Sequence, residues 1–142
     1  MKLEFLKSYD MAKLLEIEDP TIIKDYIRED KGSWIQFLSQ ELSLEGSDIS
    51  VAGVFNEERT KIKLYIVLVN DVNPPVHNRL IIWYAWSSLN HYESKKIYGQ
   101  LKEWAVQQKY DKISIYTKQS ELMAKFGFQP TGFVEMEEVL NG

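Results

Sequence analysis

Ser87-Ser88-Leu89-Asn90-His91-Tyr92-Glu93-Ser94-Lys95-Lys96 gathers hydroxyls, an imidazole, an amide, a carboxylate and two adjacent lysines in ten residues. His91 could act as a general base, because an imidazole titrates near neutral pH. A single histidine beside a helix start is more commonly a surface residue, and we read it so. Lys95 and Lys96 could hold a phosphate by charge, but paired lysines on a helix usually make a solvated face. Tyr116 carries a phenol that could donate a proton; in an alternating strand it is read first as packing. Trp83, Tyr84 and Trp86 could line a pocket, or form the core of a central strand, the commoner use of aromatic side chains. Glu135, Glu137 and Glu138 alternate with Val134, Met136 and Val139, which fits solvent-side charge on a sheet better than a metal pair.

Composition narrows the chemistry. There is no cysteine, so disulfides and thiolate metal sites are excluded, and a reducing compartment fits. Two histidines, His77 and His91, are too few for a metal cluster unless carboxylates complete it, and no metal is expected. The net charge is -4, and the only basic groupings are Lys61 with Lys63 and Lys95 with Lys96, so a nucleic-acid partner is not expected. The opening residues MKLEFLKSYD hold no long apolar run. That predicts neither signal peptide nor membrane span, and a cytoplasmic protein. The length, 142 residues, suits a single domain over 1–142, and a 44% hydrophobic content supplies a core.

The elements that must position these groups follow from periodicity. Lys2 to Lys7 alternates as a short strand. Asp10 can cap a helix carrying Met11, Leu14 and Leu15. Asp19-Pro20 reads as an N-cap with proline at the first helical position, followed by Ile22, Ile23, Tyr26 and Ile27 at helical spacing. Residues 33–43 fit a helical face through Trp34, Ile35, Leu38 and Leu42, although WIQFL also suits a strand. Strands are predicted over Ile49 to Phe55 and Lys61 to Val69. Asn70 to Pro75 should break the pattern, since prolines cannot continue a ladder. Leu80 to Trp86 is apolar on both faces, as a strand covered on both sides would be.

The longest predicted helix runs from Tyr92 to Gln108, with Ile97, Leu101, Trp104 and Ala105 on one stripe. Asn90 and Glu93 have capping-box spacing. A strand from Lys112 to Thr117, a short helix from Ser120 to Phe126 ended by Gly127, and a last strand from Phe133 to Leu140 complete the order.

Residues 80–140 resemble the GNAT N-acetyltransferase superfamily. The resemblance lies in the apolar strand, the long helix with Glu103-Trp104-Ala105 near its end, the next strand, and Gly127-Phe128 followed by Gln129-Pro130-Thr131-Gly132. It implies an α/β fold in which a central mixed, twisted sheet is flanked by helices on both faces. Residues 1–79 match in element order only.

In active family members a glycine-rich loop before the long helix turns backbone N–H groups toward the pyrophosphate of coenzyme A, helped by the helix dipole. Here Ser87 to Lys96 contains no glycine, and Glu93 sets a negative charge in the first helical turn. Where many members place a proton-donating tyrosine, four residues before the glycine, this chain has Met123. The asparagine often found after the preceding strand is replaced by Tyr116-Thr117-Lys118. The central strand offers no carboxylate as base. Divergent relatives with the fold kept and the coenzyme loop lost resemble this chain, and are found among virion-assembly proteins of tailed bacteriophages. The resemblance therefore implies a non-catalytic protein in host cytoplasm or virion, with no catalytic residue and no cofactor. It would act through a protein partner or as a homo-oligomer, with Tyr84, Trp86, His91 and Tyr116 as groove or interface residues. The alternative is acetyl transfer from acetyl-CoA held by Ser88, Asn90, His91, Lys95 and Lys96.

Overall fold

Alternating apolar residues in the middle of the chain form three long strands that meander back and forth. The computed structural model describes residues 1–17, 30–117 and 119–140. Its strands are β1 (Glu4–Phe5), β2 (Ile49–Phe55), β3 (Ile62–Asn73), β4 (His77–Ser87) and β5 (Lys112–Ile115). They lie side by side in chain order. Pairing is antiparallel from β1 to β4, and β4 with β5 is parallel. The helices are α1 (Lys31–Ser43), α2 (His91–Gln107) and the short α3 (Ser120–Ala124), with a 3-10 helix over Ser8–Glu16.

The sheet separates two apolar layers. Met11, Leu14, Trp34 and Leu38 from the 3-10 helix and α1 bury one face against Val51, Tyr65, Val67 and Tyr84. Ile97, Leu101 and Ala105 of α2 bury the other against Val54, Leu64, Leu68, Leu80 and Ile82. Helices thus cover both faces of a mixed sheet, as the resemblance implied. The helical reading of 33–43 holds: Asp30 caps α1 by accepting from the Ser33 N–H at 2.8 Å. The helix expected after Asp19-Pro20 lies outside the described residues.

Several expectations are corrected. The first strand is limited to two residues, Glu4 and Phe5, paired with Gly53 and Ala52. Gly53 allows that close pairing, since a Cβ there would lie 2.9 Å from both the Leu64 carbonyl and a Leu6 methyl. Asp10 sits inside the 3-10 helix rather than at its cap; its carboxylate reaches back to the Lys7 N–H at 2.8 Å. Leu15 is exposed. Asn70 to Asn73 do not break the sheet. They extend β3 and pair with His77 to Leu80, because the prolines fall in the turn itself, where no ladder bond is needed.

The last strand is absent. Phe133 to Leu140 makes no strand pairing, and its apolar side chains are 81–91% exposed. Alternation predicts a strand only where a neighbouring strand completes the ladder, and along these residues none does.

Candidate functional site

β4 changes its habit midway along its length. Ile82 pairs with Leu68 and Tyr84 with Val67, so Trp83 is an extra residue, a bulge. Before it, Leu80 and Ile82 face α2; after it, Tyr84 packs among residues facing α1. The bulge therefore turns the aromatic half of β4 to the opposite layer. Pairing with β5 stops at the same level, at Ile82 with Ile115. β5 ends there, while β4 continues to Ser87 and leads into the β4–α2 loop.

That loop is tied down by its own groups. The Ser88 N–H and hydroxyl both donate to the Lys63 carbonyl, each at 2.8 Å. The Leu89 N–H donates to the Ser87 hydroxyl at 3.0 Å, and that hydroxyl meets the Ser94 hydroxyl at 2.9 Å. The Asn90 amide oxygen accepts from the Glu93 N–H at 2.8 Å, while the Glu93 carboxylate accepts from the Asn90 N–H at 3.5 Å. The N–H groups of Ser88, Leu89, Asn90 and Glu93 are thus engaged within the chain. The Glu93 carboxylate adds negative charge to the same turn.

The residues singled out in the sequence go to different places. Tyr84 is 4% exposed and stands against Tyr65 and Trp34, so it belongs to the core and offers no groove surface. Trp86 is half-buried on the same layer, 6.2 Å from Tyr65. His91 is exposed on the first turn of α2, its ring edge-on to Phe126 at 5.0 Å. Tyr116 is 65% exposed, just past the last paired residue of β5. Tyr84 and Trp86 share the α1-side layer through Tyr65, whereas His91 packs on Phe126 and Tyr116 is exposed, so the four are not brought to one place. Lys96 lies over the Tyr92 ring at 5.2 Å, and Lys95 is exposed. Met123 is half-buried, and its carbonyl accepts from the Phe126 and Phe128 N–H groups in the turn that Gly127 closes at φ +100°. Glu135, Glu137 and Glu138 are exposed on an unpaired segment, which removes the basis for reading them as one face of a sheet. Among the described residues, no three histidine or carboxylate side chains gather as a metal site would need.

Two features escaped the sequence. Tyr98 lies between Phe126 and Phe128, and burial pushes its phenol up to about 12, so it keeps its proton at neutral pH. Arg59 grips Glu4 through two bonds of 3.0 and 2.8 Å and lies 4.4 Å over the Phe55 ring. With Lys7, Tyr9, Asp10 and Lys13 these residues border a polar recess of about 280 Å³. Glu4 and Arg59 are 55 residues apart, so no local pattern announces the recess.

No protein-family profile and no curated protein matches the sequence. Solved structures do. A possible acetyltransferase from Clostridium difficile 630 superposes with a TM-score of 0.77 at 8% identity, covering 99% of this chain and 98% of its own. A predicted acetyltransferase with acetyl-CoA from Clostridium acetobutylicum gives 0.70 at 14%, covering 96% and 95%. Ribosomal-protein-alanine N-acetyltransferase from Brucella melitensis biovar Abortus 2308 gives 0.70 at 9%, covering 99% and 100%. Among the described residues no helix is long and apolar enough to cross a membrane. At such identities the likeness concerns architecture, and it establishes that this chain has a GNAT-like fold.

Proposed function

We propose that this chain is a GNAT-fold protein that works through contacts with protein and transfers no acetyl group. The observation that carries the reading is that four backbone N–H groups of the β4–α2 loop and the first turn of α2 are already bonded within the chain. Ser88, Leu89, Asn90 and Glu93 spend their backbone N–H groups on Lys63, Ser87, Glu93 and Asn90. A pyrophosphate would have to displace those bonds and approach the Glu93 carboxylate. Met123 in place of a proton donor, and a central strand without a carboxylate, support the same reading. A role in virion structure or assembly belongs to this reading and rests on the sequence resemblance alone.

A second reading, acetyl transfer through a divergent loop, is favoured by the acetyltransferase names of the structural neighbours. Calorimetric titration with acetyl-CoA separates the two. The expected result is binding weaker than about 1 mM, under ~4 kcal/mol of binding free energy. A dissociation constant in the micromolar range overturns the non-catalytic reading.

A further inference from the structure

The polar recess of about 280 Å³ lies where β1, the 3-10 helix and the β2–β3 turn meet. Its most unusual residue is Arg59. The turn is drawn tight by Asn56, whose side-chain oxygen accepts from the Thr60 and Lys61 N–H groups at 2.8 and 3.0 Å. Arg59 stands in it at φ +58°, a left-handed conformation that glycine takes more readily. From there its guanidinium lies 4.4 Å from the centre of the Phe55 ring, and the Lys13 ammonium approaches the same ring at 5.4 Å. Two like charges drawn to one ring repel each other unless anions lie close by. Glu4 and Asp10 answer them in part, and both are engaged. The two Glu4 oxygens accept from Arg59 at 2.8 and 3.0 Å; Asp10 accepts from the Lys7 N–H at 2.8 Å with one oxygen and from Lys13 at 3.5 Å with the other. Every carboxylate oxygen of the recess thus has a donor, whereas donors remain. A guanidinium carries five N–H groups, of which Glu4 takes two, and an ammonium carries three, of which Asp10 takes one. With Lys7 the recess holds three cations against two carboxylates, a net of +1 (3 minus 2).

We propose that this recess binds a small organic acid, a body about the size of a single ring that carries a single carboxylate. The carboxylate lies between the unused N–H groups of Arg59 and the Lys13 ammonium, and supplies the one negative charge that the recess lacks. The body of the acid lies against Phe5 and Tyr9, whose exposed rings border the recess. Size points the same way. Ligand pockets ordinarily measure about 300–1,000 Å³, so a recess just below that range suits a one-ring acid better than a nucleotide. A phosphate monoester would bring two charges to a net of one. None of the recess residues belongs to β4, α2 or the loop between them, so the inference does not depend on whether coenzyme binds.

The test titrates the nitrogen-labelled full chain with sodium benzoate and follows the backbone amides by NMR. Shifts should concentrate at residues 4–13 and 55–61, which form the recess. Benzamide, the neutral isostere, should bind about tenfold more weakly, the worth of one charge-assisted hydrogen bond. Benzylamine should not bind, and phenyl phosphate should bind no more tightly than benzoate. Added salt should weaken benzoate binding. Arg59→Gly suits the left-handed φ and keeps the turn, so its spectrum elsewhere should match the parent while benzoate binding falls about tenfold. Lys13→Gln, on the 3-10 helix, removes the second cation independently and should also weaken binding. No benzoate shifts in this region, equal binding of benzamide, tighter binding of benzylamine or phenyl phosphate, or benzoate binding unchanged in both variants overturns the proposal.

Discussion

Asn90 and Glu93 cap one another across the first turn of α2. The Asn90 amide accepts the Glu93 N–H at 2.8 Å, and the Glu93 carboxylate returns to the Asn90 N–H at 3.5 Å. A helix start has orphan donors that must find acceptors. This chain satisfies two of them, at Asn90 and Glu93, from its own side chains.

Asn90→Ala removes the better of the two bonds and should cost about 1 kcal/mol of stability, the usual worth of an N-cap. Glu93→Gln keeps a side chain able to complete the box and removes only the charge. Its cost should be about 0.3–1 kcal/mol, the contribution of a carboxylate to the helix dipole. Urea melts of the two variants check the order. A Glu93→Gln loss clearly larger than that of Asn90→Ala would show that charge, and not capping, holds this turn.

The α2 stripe gives a second test. Trp104 is half-buried, with Phe5 at 4.7 Å and Tyr110 at 6.1 Å, and so ties α2 to β1 and to the approach of β5. Complete burial would make Trp104→Ala cost about 3–5 kcal/mol. With part of the ring in water, we expect about 2–3 kcal/mol, measured by denaturant melting with the m-value unchanged. A loss below about 1 kcal/mol would mean that the ring covers β1 without stabilising it.

What the sequence made legible was local. β2 was read at its observed bounds, and the Asn90–Glu93 box and the helical face through Trp34, Ile35 and Leu38 follow from residues within a turn or two of each other. What it hid depends on partners distant in the chain. The bulge at Trp83 appears only when β4 is set against Val67 and Leu68, and it sends Tyr84 to the layer opposite Ile82. Tyr84 looked like groove lining because a run of aromatics carries no mark of which face each will take. Phe133 to Leu140 failed in the other direction: its alternation is that of a strand, but alternation does not state whether an edge is within reach. The candidate loop was legible in composition, since the missing glycines were visible. Its closure onto the Lys63 carbonyl, 25 residues away, was not.

The Asp71–Arg79 pair supplies a pH-dependent prediction. These residues face each other across β3 and β4, in the stretch where the strands outrun the expected break, and the Arg79 Nε donates to the Asp71 carboxylate at 2.7 Å. That hydrogen bond, with the guanidinium charge behind it, holds the Asp71 carboxyl below its ordinary 3.8 in the folded chain. A carboxyl depressed by folding is bound more tightly by protons in the unfolded chain, so the pair's contribution is present above the ordinary value. It is lost as the pH falls through the folded one. Asp71→Asn keeps the shape and removes the charge. The stability gap between parent and variant should be constant near neutral pH and should close once the pH drops below 3.8, where the parent's own carboxyl takes up its proton. Salt should narrow the gap at neutral pH, because the pair sits at the surface end of the hairpin. Melting curves of both proteins across this range decide it. A gap that persists unchanged into strong acid would assign the role of Asp71 to its shape in the hairpin, and not to its charge beside Arg79.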